Sequence, residues 1–346
     1  MGIDKKLFEG LVREAAEKIS YWNWDSFAIS TQIPKEWIVQ EEKDWDKKLD
    51  GKCTSVKNAV NSRLIHEIAS ATGKKYDPIN ADGRISFDFS SKKVSAEFEP
   101  VFVFGRYKKL EAGLSQSRWM CGKCEGDGCF KCDWKGKYYV SVEELMGDVF
   151  KEITEAKDYS LHASGREDVD VVNLAGRPFV LELIKPKNRK IDLGTIAAKI
   201  NADKKVEVLN LRIVSRGFVE AVTESHFEKE YETEVEFSKD IDEGTIAKIL
   251  AFAGKIVVQR TPKRVAHRRA DLKRQRKIVG ITFLGREGNV ARFRILAEAG
   301  TYIKELVHGD AGRTETSFSS IAGCDAKCVS LKVTKIYDEF LDVILS

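Results

Sequence analysis

No stretch of this 346-residue chain approaches the ~18 uninterrupted apolar residues that a membrane-spanning helix needs, so no membrane span is expected. The opening segment, MGIDKKLFEGLVREAAEK, mixes charges of both signs and has no apolar core ahead of a small-residue cleavage site, which is not the pattern of a secretory signal. A disulfide framework is also missing. Four of the seven cysteines fall within twelve residues, and Cys53, Cys324 and Cys328 stand apart. These absences lead us to expect a reducing, cytoplasmic setting. No G-x-G loop opens a helix after a strand and no P-loop signature occurs, which leaves a nucleotide-cofactor enzyme such as a methyltransferase without support. Internal repeats and low-complexity tracts are absent as well.

Charge of one sign is scarce only in total. The chain has 58 Lys and Arg against 54 Asp and Glu, a formal net charge of +4. Local asymmetry is stronger: Arg260 to Lys277 holds nine Lys/Arg and one acid, Asp271, and Lys185 to Lys190 (KPKNRK) adds four more cations. Such stripes either hold phosphates or form solvated surfaces, and composition does not choose between them. Hydrophobic residues at 42% and charged residues at 32% are those of a folded chain, and the length suggests two domains.

Periodicity gives a coarse map. Apolar positions at helical spacing (Leu7, Leu11, Val12, Ala15, Ile19) predict a helix over 4–19, and Ser26 to Thr31 reads as a strand. A second helix is predicted from Ser55 to Thr72, followed by two strands, ISFDF after Gly83 and VSAEFEPVFVFG ending at Gly105. Trp22, Trp24 and Trp37 are read as core. Ser141 and Glu144 form a capping-box pattern that opens a new helix. Beyond it, many β-type runs and few long helices predict a large mixed, mainly antiparallel sheet flanked by helices. The expected class is therefore α+β. The expected domains are an accessory unit over 1–118, a cysteine insert over 119–138 and a second domain over 139–346.

The insert carries the most specific motif. Cys121-Gly-Lys-Cys124 and Cys129-Phe-Lys-Cys132 are two C-x-x-C pairs joined by EGDG. Each pair supplies two thiolates from one turn, and Gly126 and Gly128 permit a sharp reversal that brings both pairs to one tetrahedral ion. One zinc is the expected metal, ahead of an iron–sulfur cluster or a redox dithiol. Four thiolates leave no open position for water, so its role is structural, with Arg118, Lys123, Lys131 and Lys135 placed to touch RNA. His226-Phe-Glu228 imitates half of a zinc-deaminase signature, but it follows both cysteine pairs and neither pair follows a proline.

Ser164-Gly-Arg-Glu-Asp-Val-Asp170 packs three carboxylates beside an arginine, an arrangement that is costly unless local bonds or a task supports it. GREDVDVVNLAGRPFVLEL (Gly165 to Leu183), which contains this turn, resembles the catalytic motif of the archaeal and eukaryotic tRNA pseudouridine synthase family called family ten. FVFGRYKKLEAGLSQSRW (Phe102 to Trp119), the cysteine insert, SVEEL, KEYETEVEF (Lys229 to Phe237), QRTPKRVAHRRADLKRQRK (Gln259 to Lys277) and AGTYIKELVHGDAGRTETSFSSIAG (Ala299 to Gly323) resemble its other blocks, in the same order.

The resemblance implies a pseudouridine synthase catalytic domain and an N-terminal RNA-binding domain of THUMP type. It implies isomerisation of uridine in the T loop of tRNA, at positions 54, 55 or both, without an organic cofactor. Asp168 matches the catalytic aspartate, acting either as nucleophile at C1′ or as base at C2′. Tyr231 matches the tyrosine that stacks on the target base, Lys304 the cation paired with the aspartate, and Leu306 a residue packed near the base. Glu167 and Asp170 are read as structural acids. The stripe from Gln259 to Lys277 is expected to grip phosphates, with Arg264, Arg268 and Arg269 as substrate-binding residues. The expected partner is the T arm of tRNA, no protein partner is implied, and the chain is expected to be a monomer. The competing reading is a non-catalytic tRNA-binding or folding module on the same scaffold.

Overall fold

The computed structural model describes residues 5–22, 24–45, 54–266 and 269–339; Cys53 and Arg268 lie outside them. The chain divides into two compact units. One comprises the residues up to Phe102 with Phe150–Tyr159 and Glu182–Ile191, the other Val103–Val149, Ser160–Leu181 and the residues from Asp192 onward.

In the first unit, α1 (Lys5–Trp22) buries Leu11, Val12, Ala15 and Ile19 of the predicted stripe, with Phe8 buried where the spacing predicts Leu7 and Leu7 only partly so. Strand β1 (Ser26–Gln32) leads to α2 (Lys35–Trp45) and α3 (Val56–Thr72). Ser55 caps α3 by accepting from the Asn58 N–H, and Gly73 ends it in the left-handed region, donating its N–H to Ala69 O. Strands β2 (Lys75–Tyr76), β3 (Gly83–Asp88) and β4 (Lys93–Phe98) complete a four-stranded sheet in the order β2-β1-β3-β4. Residues of α1, α3, β1 and β3 share one core, including Leu11, Ile19, Phe27, Leu64, Ile68, Ile85 and Phe87. Each such side chain contributes roughly 1.5–3 kcal/mol by leaving water. Trp24 is buried in this core and Trp37 packs against it, whereas Trp22, expected inside, is 36% exposed. Gly83 is fixed by Trp24: a Cβ there would meet the indole ring at 2.0 Å.

The run VSAEFEPVFVFG does not form the single strand predicted. It divides into β4 and β5 (Val101–Lys109), which belong to different sheets. Pro100, which has no N–H for a ladder, stands at the break.

The next element is α4 (Val142–Thr154), opened by the predicted capping box: Glu144 N donates to Ser141 Oγ at 3.1 Å and Ser141 N to Glu144 Oε2 at 3.0 Å. Then follow β6 (Asp158–Ala163), β7 (Val172–Ile184), α5 (Leu193–Asn201), β8 (Val206–Val214), α6 (Gly217–Thr223), β9 (Lys229–Phe237), α7 (Glu243–Leu250), β10 (Ile256–Arg260), β11 (Lys273–Glu287), β12 (Val290–Ala297), α8 (Ile303–His308), β13 (Thr314–Glu315), α9 (Phe318–Ala322) and β14 (Ala326–Ile336). The second sheet has ten strands in the order β13-β10-β11-β12-β9-β14-β7-β5-β8, with β6 paired to β7. The β13/β10, β10/β11, β11/β12, β12/β9 and β9/β14 pairings are antiparallel and β14/β7 is parallel. The class is mixed α+β. No helix among the described residues is long and apolar enough to cross a membrane.

Strand β9 sits inside this sheet and alternates strictly. Lys229, Thr233, Val235 and Phe237 are buried, and the intervening Glu230, Glu232, Glu234 and Glu236 therefore occupy the other face. These glutamates oppose cations across the ladder, Arg294 at Glu232 and Arg292 at Glu234 on one side, Lys335 at Glu230 and Lys327 at Glu236 on the other. Arg294 Nη2 lies 2.8 Å from Glu232 Oε1.

Candidate functional site

The acid-rich turn joins β6 to β7, and a set of buried polar side chains frames it. Lys109, third of the inward positions 105, 107 and 109 on β5, is wholly buried. Its ammonium donates to Leu114 O at 2.9 Å, Asp168 O at 2.9 Å and Val169 O at 3.0 Å, so all three N–H groups have carbonyl partners. Burial holds its pKa below the ordinary lysine value. Arg177 on β7 pairs with Glu167 at 2.6 Å and donates to Ser164 O at 2.7 Å. Tyr107 donates to Glu167 Oε1 at 2.8 Å, and Gln116 bridges Tyr107 Oη and Gly165 O. Burial first, then the Glu167 charge, pushes the Tyr107 phenol well up. Glu167 thus has a structural setting: it neutralises Arg177 beneath the turn.

Asp168 itself opens to a cleft of about 370 Å³, within the size range of small-molecule sites. Its Oδ1 accepts from Arg264 Nη1 at 2.7 Å, and Lys304 Nζ lies 3.4 Å from Oδ2. Lys304, in the first turn of α8, also grips Asp170 through both oxygens, at 2.5 and 2.7 Å. Against the effect of burial, this ammonium holds the Asp170 carboxyl below the usual range. Arg264 comes from the turn after β10. The other edge of its guanidinium faces Glu305, with Nε 2.7 Å from Oε1 and Nη2 3.3 Å from Oε2. Burial alone would lower the Arg264 pKa, but Glu305 and Asp168 together hold it above its ordinary value.

Tyr231 lines the same cleft from β9. Burial, opposed by the charge of Arg177, pushes its phenol up to about 12, so it is protonated at neutral pH. Arg269, Arg274, Arg276 and Tyr302 also line the cleft, and Arg269 donates to Tyr302 Oη at 3.2 Å. The structure therefore brings together Asp168, Tyr231, Lys304, Arg264 and Arg269. Leu306, by contrast, is fully buried and is not part of the cleft wall. Arg264 stands at the aspartate rather than out on a phosphate-facing surface. The KPKNRK stripe is largely engaged in ion pairs: Lys185 with Glu97 at 2.8 Å, Lys187 with Glu155 at 3.7 Å and Arg189 with Asp82 at 3.0 Å.

Sequence reasoning missed Lys109 and Glu305. The first was detectable as a lysine on the inward face of an apolar strand, the second as an acid set among Ile303, Leu306 and Val307 on a short helix.

The four cysteines converge as expected. Their Sγ atoms lie within 4.8 Å of one another, with Cys121–Cys129 and Cys124–Cys132 at 3.8 Å and Cys129–Cys132 at 3.9 Å. A tetrahedron of Zn–S bonds of about 2.3 Å has edges of about 3.8 Å, so the donor set fits a zinc ion. Gly126 and Gly128 both take positive φ in the reversal between the pairs. His226 and Glu228 are not part of this cluster.

The chain is similar to known proteins over most of its length. Residues 102–337 match a family described as "Pus10, C-terminal". Over 342 residues the chain is 38% identical to the tRNA pseudouridine synthase Pus10 of Methanocaldococcus jannaschii, covering 98% of this chain and 74% of that protein. It is 36% identical to the protein of the same name from Korarchaeum cryptofilum, covering 95% and 90%, and 36% identical to that of Archaeoglobus fulgidus, covering 95% and 91%. Among solved structures, a Cbf5-Nop10-Gar1 complex shows 23% identity over 55% of this chain and 45% of that one, with a TM-score of 0.35, too slight a likeness to carry an argument.

Proposed function

Because the chain belongs to the Pus10 family of tRNA pseudouridine synthases, we propose that it isomerises uridine to pseudouridine in the T loop of tRNA, at position 54, 55 or both, with Asp168 as the reacting carboxylate. The observation that carries this reading is the pairing of Asp168 with two cations, Arg264 and Lys304, in a cleft that Tyr231 also lines.

The chemistry follows from those parts. The target uridine leaves its stack and its ring lies against Tyr231, an aromatic face that accepts any pyrimidine. The carboxylate of Asp168 either adds to C1′ or removes the C2′ proton, with the Arg264 guanidinium and the Lys304 ammonium beside it. The N1–C1′ bond breaks, the uracil turns, and C5 bonds to C1′ as the Asp168–C1′ ester breaks or, on the other route, as Asp168 returns the proton to C2′. C5 then loses its proton while N1 gains one, so atoms and electrons balance with no oxidant or energy source. Arg269, Arg274 and Arg276 supply positive charge along the wall for the backbone of the T arm.

Three further assignments complete the proposal. Of the accessory domain expected over 1–118, the residues up to Phe102 act as a THUMP-type RNA-binding unit; 119–138 form the metal insert, and 139–346 form the catalytic domain together with β5 and the residues that follow it. Cys121, Cys124, Cys129 and Cys132 hold one structural zinc, which shapes the insert and takes no part in the isomerisation. The protein works as a monomer in the cytoplasm, where thiolates stay reduced.

The test is incubation of an unmodified tRNA transcript with the pure protein and with Asp168→Asn, followed by mapping of pseudouridine at single-nucleotide resolution. Conversion of a T-loop uridine by the parent alone is the expected result. Binding without conversion by either protein, on several tRNAs, would move the assignment to a tRNA-binding module.

A further inference from the structure

We infer that Glu305 is a positioning residue of the reaction: it grips one edge of the Arg264 guanidinium and so fixes the second cation on Asp168. This inference rests on Asp168 being the reacting carboxylate.

A guanidinium is a planar fork with five N–H groups. In Arg264 the Nε and Nη2 edge is taken by the two oxygens of Glu305, at 2.7 and 3.3 Å, which leaves Nη1 directed at Asp168 Oδ1, at 2.7 Å. Two carboxylates on different edges of one plane fix its rotation as well as its place. With one of them gone, a flexible side chain 35% exposed has many alternatives. The Glu305 side chain is only 2% exposed, and Arg264 is its one charged partner among the described residues at salt-bridge distance. A buried carboxylate of this kind is stable only while it stays paired. Glu305 therefore holds Arg264 in place, and Arg264 is a fixed part of the site rather than a gate that swings away. The neighbouring residue serves the same carboxylate directly, since Lys304 Nζ lies 3.4 Å from Asp168 Oδ2. Two consecutive residues of α8 thus act on Asp168, one by contact and one through Arg264.

A double-mutant cycle tests this. Parent, Glu305→Gln, Arg264→Gln, the double variant and Asp168→Asn are assayed with an unmodified tRNA transcript for tRNA affinity and single-turnover rate. The rate should fall on the order of tenfold to a hundredfold in Glu305→Gln, the usual effect of a catalytic contact displaced by about an ångström, with tRNA affinity kept. Arg264→Gln should fall at least as far, and the double variant should match Arg264→Gln to within about threefold, because the second change removes a support for a group already gone. Losses that multiply, a parent-like rate in Glu305→Gln, or a loss confined to tRNA affinity would each overturn the inference. If Glu305→Gln alone fails to fold, the comparison of Arg264→Gln with the double variant carries the test, since the double variant removes both charges of the pair together. A parent that converts no uridine, or an active Asp168→Asn, would instead overturn the assignment of the site, and this inference with it.

Discussion

The Lys109 ammonium lies 2.9 Å from the main-chain oxygen of Asp168, so a single residue is held by cations at both ends, its carbonyl by Lys109 and its carboxylate by Arg264 and Lys304. Replacing Lys109 with Met would leave three carbonyls without their donor, each at a cost of about 1–3 kcal/mol. Loss of the desolvated charge offsets part of this. We expect Lys109→Met to lower the thermal midpoint by at least several degrees and to slow conversion by about tenfold or more. A variant with the parent's single-turnover rate would show that the carbonyl contacts do not shape the turn.

Among the described residues, Lys304 is the only lysine that bridges Asp168 and Asp170. Its removal leaves two carboxylates close together with Arg264 as the remaining cation at Asp168. Lys304→Met is expected to lower the single-turnover rate by about a hundredfold, in line with the loss of one electrostatic contact at a reacting group, and to change tRNA affinity little. Titration of labelled tRNA alongside the rate measurement separates these effects. A purely binding defect would contradict the placement of Lys304 at the reacting carboxylate.

The metal insert makes a compositional prediction. Purified protein should carry about one zinc per chain, and cobalt(II) in its place should give the absorption bands of a tetrahedral thiolate site. Cys124→Ser should lose the metal and unfold at a lower temperature. Less than about half a zinc per chain in freshly purified parent would refute the closed four-thiolate assignment.

Lys229 provides a pH dependence. Burial, then the charge of Arg177, lowers its pKa from 10.5 to about 8. Below about pH 8 the amine is charged in both the folded and the unfolded chain, and the folded state bears the cost. Between about pH 8 and 10.5 the unfolded chain binds the extra proton, so stability rises with pH through this window. Relative to Lys229→Met, the parent should gain up to about 3 kcal/mol across it. Denaturant unfolding of both proteins at several pH values measures the difference. A flat difference curve would mean that Lys229 is not desolvated as the structure has it.

Much of this was legible in the sequence where a local rule and the tertiary environment agree. The stripe of α1, the start of the second helix at Ser55 and the Ser141–Glu144 box are short-range patterns that the fold keeps. The two C-x-x-C pairs were legible because four thiolates at that spacing have one economical arrangement. Asp168, Tyr231 and Lys304 could be identified only by resemblance, since each alone is an ordinary turn, strand or helix residue. Lys109 and Glu305 escaped for a physical reason: a buried charge is recognised by its partners, and theirs come from 5 to 60 residues away. The break at Pro100 was a local signal that alternation on both sides concealed. Leu306 shows the converse, an apolar residue beside a functional one that packs inward.

The glutamate strip on β9 has a consequence for how the chain tolerates insertions and deletions. Side chains on a strand change face with every residue, so a one-residue slip of β9 against β12 and β14 would turn Glu230, Glu232, Glu234 and Glu236 inward and carry Tyr231 out of the cleft. The opposing arginines and lysines penalise that slip from the far side of the sheet. The side chain that β9 presents to the cleft is thus selected by charges that lie on the opposite face, and a single-residue deletion elsewhere in this strand should abolish activity while leaving Tyr231 in the chain.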